Sequence, residues 1–251
     1  MTTVAVLADP PAETDALAGV AETGPLDAEA AERLYTATLR DACAAIERSG
    51  GDLLVNYRTL DAPDEEAREA VASAVAPALD DPEGARYEVQ VGSTRSARVG
   101  NTVTHLLERE AVRSAAVLDP AVALAERRHV DSAAMKLRGA EVVLGPTATG
   151  GVWYAGFTEP VDFTDALAAP SLRTLAERGS EEGFGVDFLE QRPLVSDDAG
   201  LASAVVSVQS RTIAGQPVPG YTRRAVDELG LDVTPSEDGL DVRTGADTDR
   251  S

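Results

Sequence analysis

Lysine is almost missing from this chain: among 251 residues only Lys136 is one, and every other strong cation is arginine. Lysine and arginine together number 22 against 43 aspartates and glutamates, a formal net charge of −21. So little positive charge excludes nucleic acid and anionic membrane as partners, since both are bound through clustered cations. The same imbalance makes the surface repel itself, which favours solubility and weakens the compact state. Concentrated salt screens that repulsion, the Debye length contracting to about 3 Å at 1 M. Acidic excess, scarce lysine and abundant alanine thus suit a halophilic, salt-rich cytoplasm; the plainer alternative is an unusually acidic protein from ordinary surroundings.

Other shortages narrow the field further. Cys43 is alone, which excludes a disulfide framework and a cysteine metal cluster. It shares an apolar helical face with Leu39 and Ile46, and core packing accounts for it. Aromatics are 4% of the chain, so the core rests on Ala, Val and Leu. No run approaches the roughly 18 apolar residues of a membrane span, and residues 1–6 lack the regions of a signal peptide; the expected location is cytoplasmic. His105 and His129 are isolated, without zinc-ligand spacing. There is no nucleophile elbow, P-loop or G-x-G-x-x-G.

What is present is alternation. Strand candidates at residues 4–7, 52–57, 87–91, 115–118, 141–144, 152–157 and 186–190 are separated by helical patterns at 27–49, 63–79, 97–110, 131–138, 171–178 and 199–214. This predicts an α/β fold with a mainly parallel central sheet and helices on both faces. Sites in such sheets lie at the carboxyl ends of strands, which selects the loops 8–25, 119–123 and 145–151. Residues 1–214 form the expected main domain. Residues 215–243 follow as an extension, a helix at 221–229 and a hairpin turned near 237–239, and 244–251 as a disordered tail.

The most informative stretch is residues 140–157, AEVVLGPTATGGVWYAGF. A buried strand ends in Gly145–Pro146, and Gly150–Gly151 opens the next. Paired glycines at a strand edge either admit a ligand to the backbone or only serve the connection. Trp153 and Tyr154 follow, and strand alternation turns one of them into the core, leaving at most one to stack on a ligand. The stretch follows almost position by position the motif "aDvVlGPaeDGGyyLiGl" of the glycosyltransferase-A-like family DUF2064, a distant relative of molybdenum-cofactor and phospholactate guanylyltransferases. Residues 26–44 match that family's early helix, and Gln90 and Gly92 match a third segment. The resemblance covers roughly residues 1–210.

The resemblance implies a Rossmann-like, three-layer glycosyltransferase-A-type domain that binds a nucleotide or nucleotide sugar. It also implies carboxylates at strand ends holding Mg²⁺ or Mn²⁺ against the diphosphate. The chain departs from the family at those residues. Loop 8–25 has no Lys or Arg where relatives carry Lys-Thr-Arg-Leu, and Thr149 replaces the acid of Asp-Gly-Gly. Asp119 remains as a metal candidate, or as an Asp-Pro turn. Asp197 and Asp198 are further metal candidates, or a helix N-cap. Gly145, Gly150, Gly151 and Arg95 are the nucleotide-binding candidates, with Arg95 and its neighbour Arg98 equally readable as a solvated helix start. The expected function is nucleotide-sugar-dependent transfer, or a relative keeping the nucleotide cleft. The alternatives are a catalytically degenerate binding or assembly protein, and a nucleotidyltransferase of the guanylyltransferase type.

Overall fold

A computed structural model describes residues 1–14, 16–22, 24–60, 62–237 and 239–245. The expected tail, 244–251, lies mostly outside them. Nine strands are described: β1 (Thr2–Ala8), β2 (Asp52–Tyr57), β3 (Arg86–Val89), β4 (Ser114–Leu118), β5 (Val142–Pro146), β6 (Val152–Phe157), β7 (Val186–Phe188), β8 (Asp232–Ser236) and β9 (Gly239–Arg243). The α-helices are α1 (Ala18–Glu22), α2 (Ala28–Glu47), α3 (Asp64–Val75), α4 (Arg95–Thr104), α5 (Arg127–Lys136), α6 (Ser171–Glu181), α7 (Asp198–Ile213) and α8 (Gly220–Glu228). No helix among the described residues is long and apolar enough to cross a membrane.

Seven strands make one sheet in the order β3-β2-β1-β4-β6-β5-β7. All neighbours run parallel except β6, which is antiparallel to both β4 and β5. The sheet is therefore mainly parallel, as the alternation predicts, and both its faces are covered. Along β1 the side chains divide between two cores: Val4, Val6 and Ala8 pack with Leu34, Ile46 and Val205 of α2 and α7. Ala5 and Leu7 pack on the other face with Val99 and Val103 of α4 and Leu175 of α6. Burial on both sides explains why β1 reads as a continuous apolar run rather than an alternating one.

Short polar side chains set where several helices begin. Asp27 accepts from Ala30 N at 2.8 Å to open α2, and Thr94 accepts from Ala97 N at 3.1 Å to open α4. α5 starts at Arg127, four residues before the predicted 131, because His129 Nδ1 accepts from Glu126 N at 3.0 Å and secures the first turn. The helix predicted over 97–110 stops being α-helical at Thr104 and continues as a π-turn, His105–Arg109. At the C-terminal end, Asp41 of α2 accepts from the backbone N–H groups of Tyr221 and Thr222, and Ala225 and Val226 of α8 join the first core. β8 and β9 form the expected antiparallel hairpin.

Candidate functional site

The carboxyl ends of β1, β2 and β4 bring two acid–arginine pairs together. Asp9 follows β1 directly and is buried; Arg58 follows β2 and grips it with two bonds, Nε to Oδ1 at 2.5 Å and an Nη to Oδ2 at 2.7 Å. Asp9 N donates to the Tyr35 phenol of α2 at 2.7 Å, which fixes the strand end against the helix. The second pair joins two residues selected separately from the sequence: an Arg95 Nη lies 2.6 Å from Asp119 Oδ2. Asp119 Oδ1 accepts from Ala121 N at 2.9 Å, so the Asp-Pro turn is formed by the same side chain. Burial first, and then the charges of Asp9 and Asp119, push the Tyr35 phenol well above its ordinary range. Both carboxylates therefore act on one buried ring.

The turn between β5 and β6 closes the same edge, since Asp119 N donates to the carbonyl of Trp153 at 2.9 Å. Gly150 adopts φ +81°, a left-handed conformation that costs a non-glycine residue about 1–2 kcal/mol. Its carbonyl accepts from Leu172 N at 3.0 Å, tying the turn to α6. Gly151 N donates to Thr147 Oγ1 at 2.9 Å, and Thr147 Oγ1 and Thr149 Oγ1 lie 3.3 Å apart. Gly145 serves packing: a Cβ there would fall 2.5 Å from Trp153 Cε2.

One expectation needs correction here. Gly145 pairs with Tyr154 and Pro146 with Val152, leaving Trp153 as an extra residue in a bulge. Alternation fails across the bulge, and Trp153 and Tyr154 lie in the same core, each 1% exposed. Neither ring is open to solvent. Trp153 Nε1 donates to Glu190 O at 3.1 Å, whereas Tyr154 Oη has no partner.

Asp197 and Asp198 occupy the start of α7. Asp197 Oδ1 accepts from Gly200 N at 2.8 Å, the cap geometry. Asp119, Asp197 and Asp198 do not converge to within shared-ligand distance. Among the described residues the group of three donors that does is Glu88, His105 and Glu110, within 4.8 Å of one another beside the edge strand β3. Arg86 already bridges Glu88 and Glu110, and its bonds hold Glu110 below the usual carboxylate range. A polar pocket of about 160 Å³ brings Thr149 and Asp197 together with Arg192 and Arg211.

Sequence reasoning passed over Asp9, Arg58, Arg192 and Arg211. The strand-end rule offered a signal for the first two, which immediately follow β1 and β2. Nothing in the local pattern marks the arginines of the loop after β7 and of α7.

No family model matches the chain, and no curated protein matches it in sequence. Solved structures do. One, from Desulfovibrio desulfuricans G20 and provisionally named a nucleotide-diphospho-sugar transferase, superposes with a TM-score of 0.73 at 14% identity, covering 91% of this chain and 95% of that one. A looser match is 4-diphosphocytidyl-2C-methyl-D-erythritol synthase from Anaerococcus prevotii DSM 20548, with TM-score 0.48, 11% identity and coverage of 83% and 99%. The seven-stranded, mostly parallel sheet with helices on both faces is a Rossmann-like fold, shared with the Desulfovibrio desulfuricans protein.

Proposed function

We propose that the chain is a nucleotide-sugar-dependent transferase, or a relative that keeps the nucleotide cleft, with its site at the carboxyl edge of β1, β2 and β4. The observation that carries this reading is the Arg95–Asp119 pair at the end of β4, with Arg58–Asp9 beside it. A nucleotide diphosphate brings concentrated negative charge, and transfer increases that charge on the leaving group. Arginine suits such a group because its planar fork makes paired charge-assisted bonds to phosphate. Arg95 is 46% exposed at its side chain and Asp119 only 10%, so Arg95 is the partner able to turn outward.

Magnesium or manganese supplies the same positive charge in many transferases. Asp119, Asp197 and Asp198 are not gathered into one donor set for such an ion. Asp119 has one oxygen on Ala121 N and the other on Arg95, and Asp197 is held by Gly200 N. No step is therefore routed through a metal, and the arginines hold the diphosphate in this reading. That same engagement of the carboxylates favours a second reading, nucleotide binding without turnover. Nucleotidyl transfer would call on the same charges and has no separate support.

A thermal-shift panel of nucleosides, nucleoside diphosphates and nucleotide sugars, with and without Mn²⁺ in molar KCl, tests the proposal. Diphosphates and nucleotide sugars should raise the midpoint and nucleosides should not. Hydrolysis or transfer of a labelled sugar separates an enzyme from a binding protein. No stabilisation by any diphosphate at millimolar concentration removes both readings.

A further inference from the structure

The pocket between the β5–β6 turn and α7 is lined mostly by polar side chains. Two arginines, Arg192 and Arg211, line it together with the hydroxyls of Thr147, Thr149, Ser203 and Ser207. Its volume, about 160 Å³, matches roughly five water-sized atoms at about 30 Å³ each. Arg192 lines the pocket and is 9% exposed; its Nε, which has no hydrogen-bond partner, is itself sealed from solvent. A buried, charged donor without an acceptor is costly, and native proteins rarely leave one so.

The surroundings sharpen the shortage. His129 Nδ1 accepts from Glu126 N, which uses the single lone pair of a neutral imidazole. Its Nε2 then carries the proton, yet it faces an Arg192 Nη at 2.6 Å and Arg128 Nε at 3.3 Å, both obligate donors. Burial, followed by the charges of Arg192, Arg128 and Arg211, lowers the His129 pKa to about 3, so the ring stays neutral. The acceptors that Arg192 does have are a 77% exposed carboxylate, Glu190, and a long contact to Gln191 O at 3.4 Å. Arg211 spends one Nη on Glu126 at 2.9 Å. The acid lining the pocket, Asp197, has its Oδ1 on Gly200 N. Two guanidinium groups thus face one carboxylate on this wall.

We propose that this pocket binds a small oxyanion, a phosphate group, through Arg192, Arg211 and the flanking hydroxyls. Its arginines differ from those of the nucleotide cleft, Arg58 and Arg95, although the β5–β6 turn borders both. The phosphate comes either free or as a monoester on a small organic molecule, and the two sources share this recognition chemistry.

The test is calorimetric titration of the full chain with inorganic phosphate and, separately, with glycerol phosphate, in molar KCl. The native chain should bind phosphate, and Arg211→Gln should weaken it at least tenfold, because a charge-assisted bond contributes about 1.5–3 kcal/mol. Ser203→Ala should weaken it less, and Arg33→Gln, at an exposed pair with Glu228, should leave it unchanged. Arg192→Gln removes a residue that also packs on His129 and pairs with Glu190, so Arg211→Gln decides if that variant fails to fold. Tighter binding of glycerol phosphate identifies a monoester as the ligand; tighter binding of inorganic phosphate identifies the free ion. Absence of phosphate binding, or binding that survives Arg211→Gln undiminished, overturns the proposal.

Discussion

Arg95 and Asp119 illustrate how one contact changes the meaning of two residues. Read separately, they are a phosphate binder and a metal ligand; paired at 2.6 Å, they neutralise each other until a ligand competes. Asp119 cannot be relieved of Arg95 without cost, because a buried carboxylate left unpaired is strongly destabilising. Gly145 shows another case, a nucleotide-binding candidate whose missing Cβ is already required by packing against Trp153. Replacing it with alanine sets a methyl 2.5 Å from Trp153 Cε2 and 2.7 Å from Trp153 Nε1. Overpacking of this kind costs about 1–3 kcal/mol. Gly145→Ala should therefore lower the unfolding midpoint measurably while leaving any nucleotide affinity of the folded fraction unchanged. A nucleotide-binding loss without destabilisation would return Gly145 to the cleft.

At the scale of elements, α7 offers the cleanest separation of cap from ligand. Asp197→Ala removes the bond to Gly200 N and should cost about 1 kcal/mol in denaturant unfolding, with nucleotide and metal responses unaltered. Loss of a metal response with unchanged stability would contradict the cap. The elements themselves were largely legible: β2 and β6 fall on the predicted residues, and α2 opens at its Asp27 cap. What local pattern could not supply is direction and register. β6 is a strand by composition, but its antiparallel course between β4 and β5 depends on pairing across the sheet. The bulge at Trp153 likewise arises from that pairing, and it defeated the alternation argument. The start of α5 was missed because Glu126 and His129 are not the usual capping residues. The site was legible only in part. Strand ends could be located, whereas the Arg58–Asp9 pair spans 49 positions and the Arg192–His129 contact spans 63.

At the scale of the whole molecule, charge and fold raise separate questions. Most of the described arginines are drawn into pairs, several exposed, such as Arg33–Glu228 and Arg48–Asp80, and exposed pairs add at most about 1 kcal/mol each. With a formal charge of −21, the remaining acids repel one another. Raising KCl from about 0.1 M to about 1 M contracts the Debye length from about 10 Å to about 3 Å. The thermal midpoint should rise across that range, and a flat or falling midpoint would count against adaptation to a salt-rich interior.

The central claim is that the carboxyl edge of β1, β2 and β4 holds a diphosphate through its arginines. Calorimetric titration of a nucleoside diphosphate into the chain and into Arg95→Gln, in molar KCl, addresses it most directly. The account predicts weak binding by the native chain and a loss of at least tenfold in the variant, as expected for one charge-assisted bond of about 1.5–3 kcal/mol. Equal affinity of the two proteins, or no binding by either at millimolar nucleotide, would contradict it.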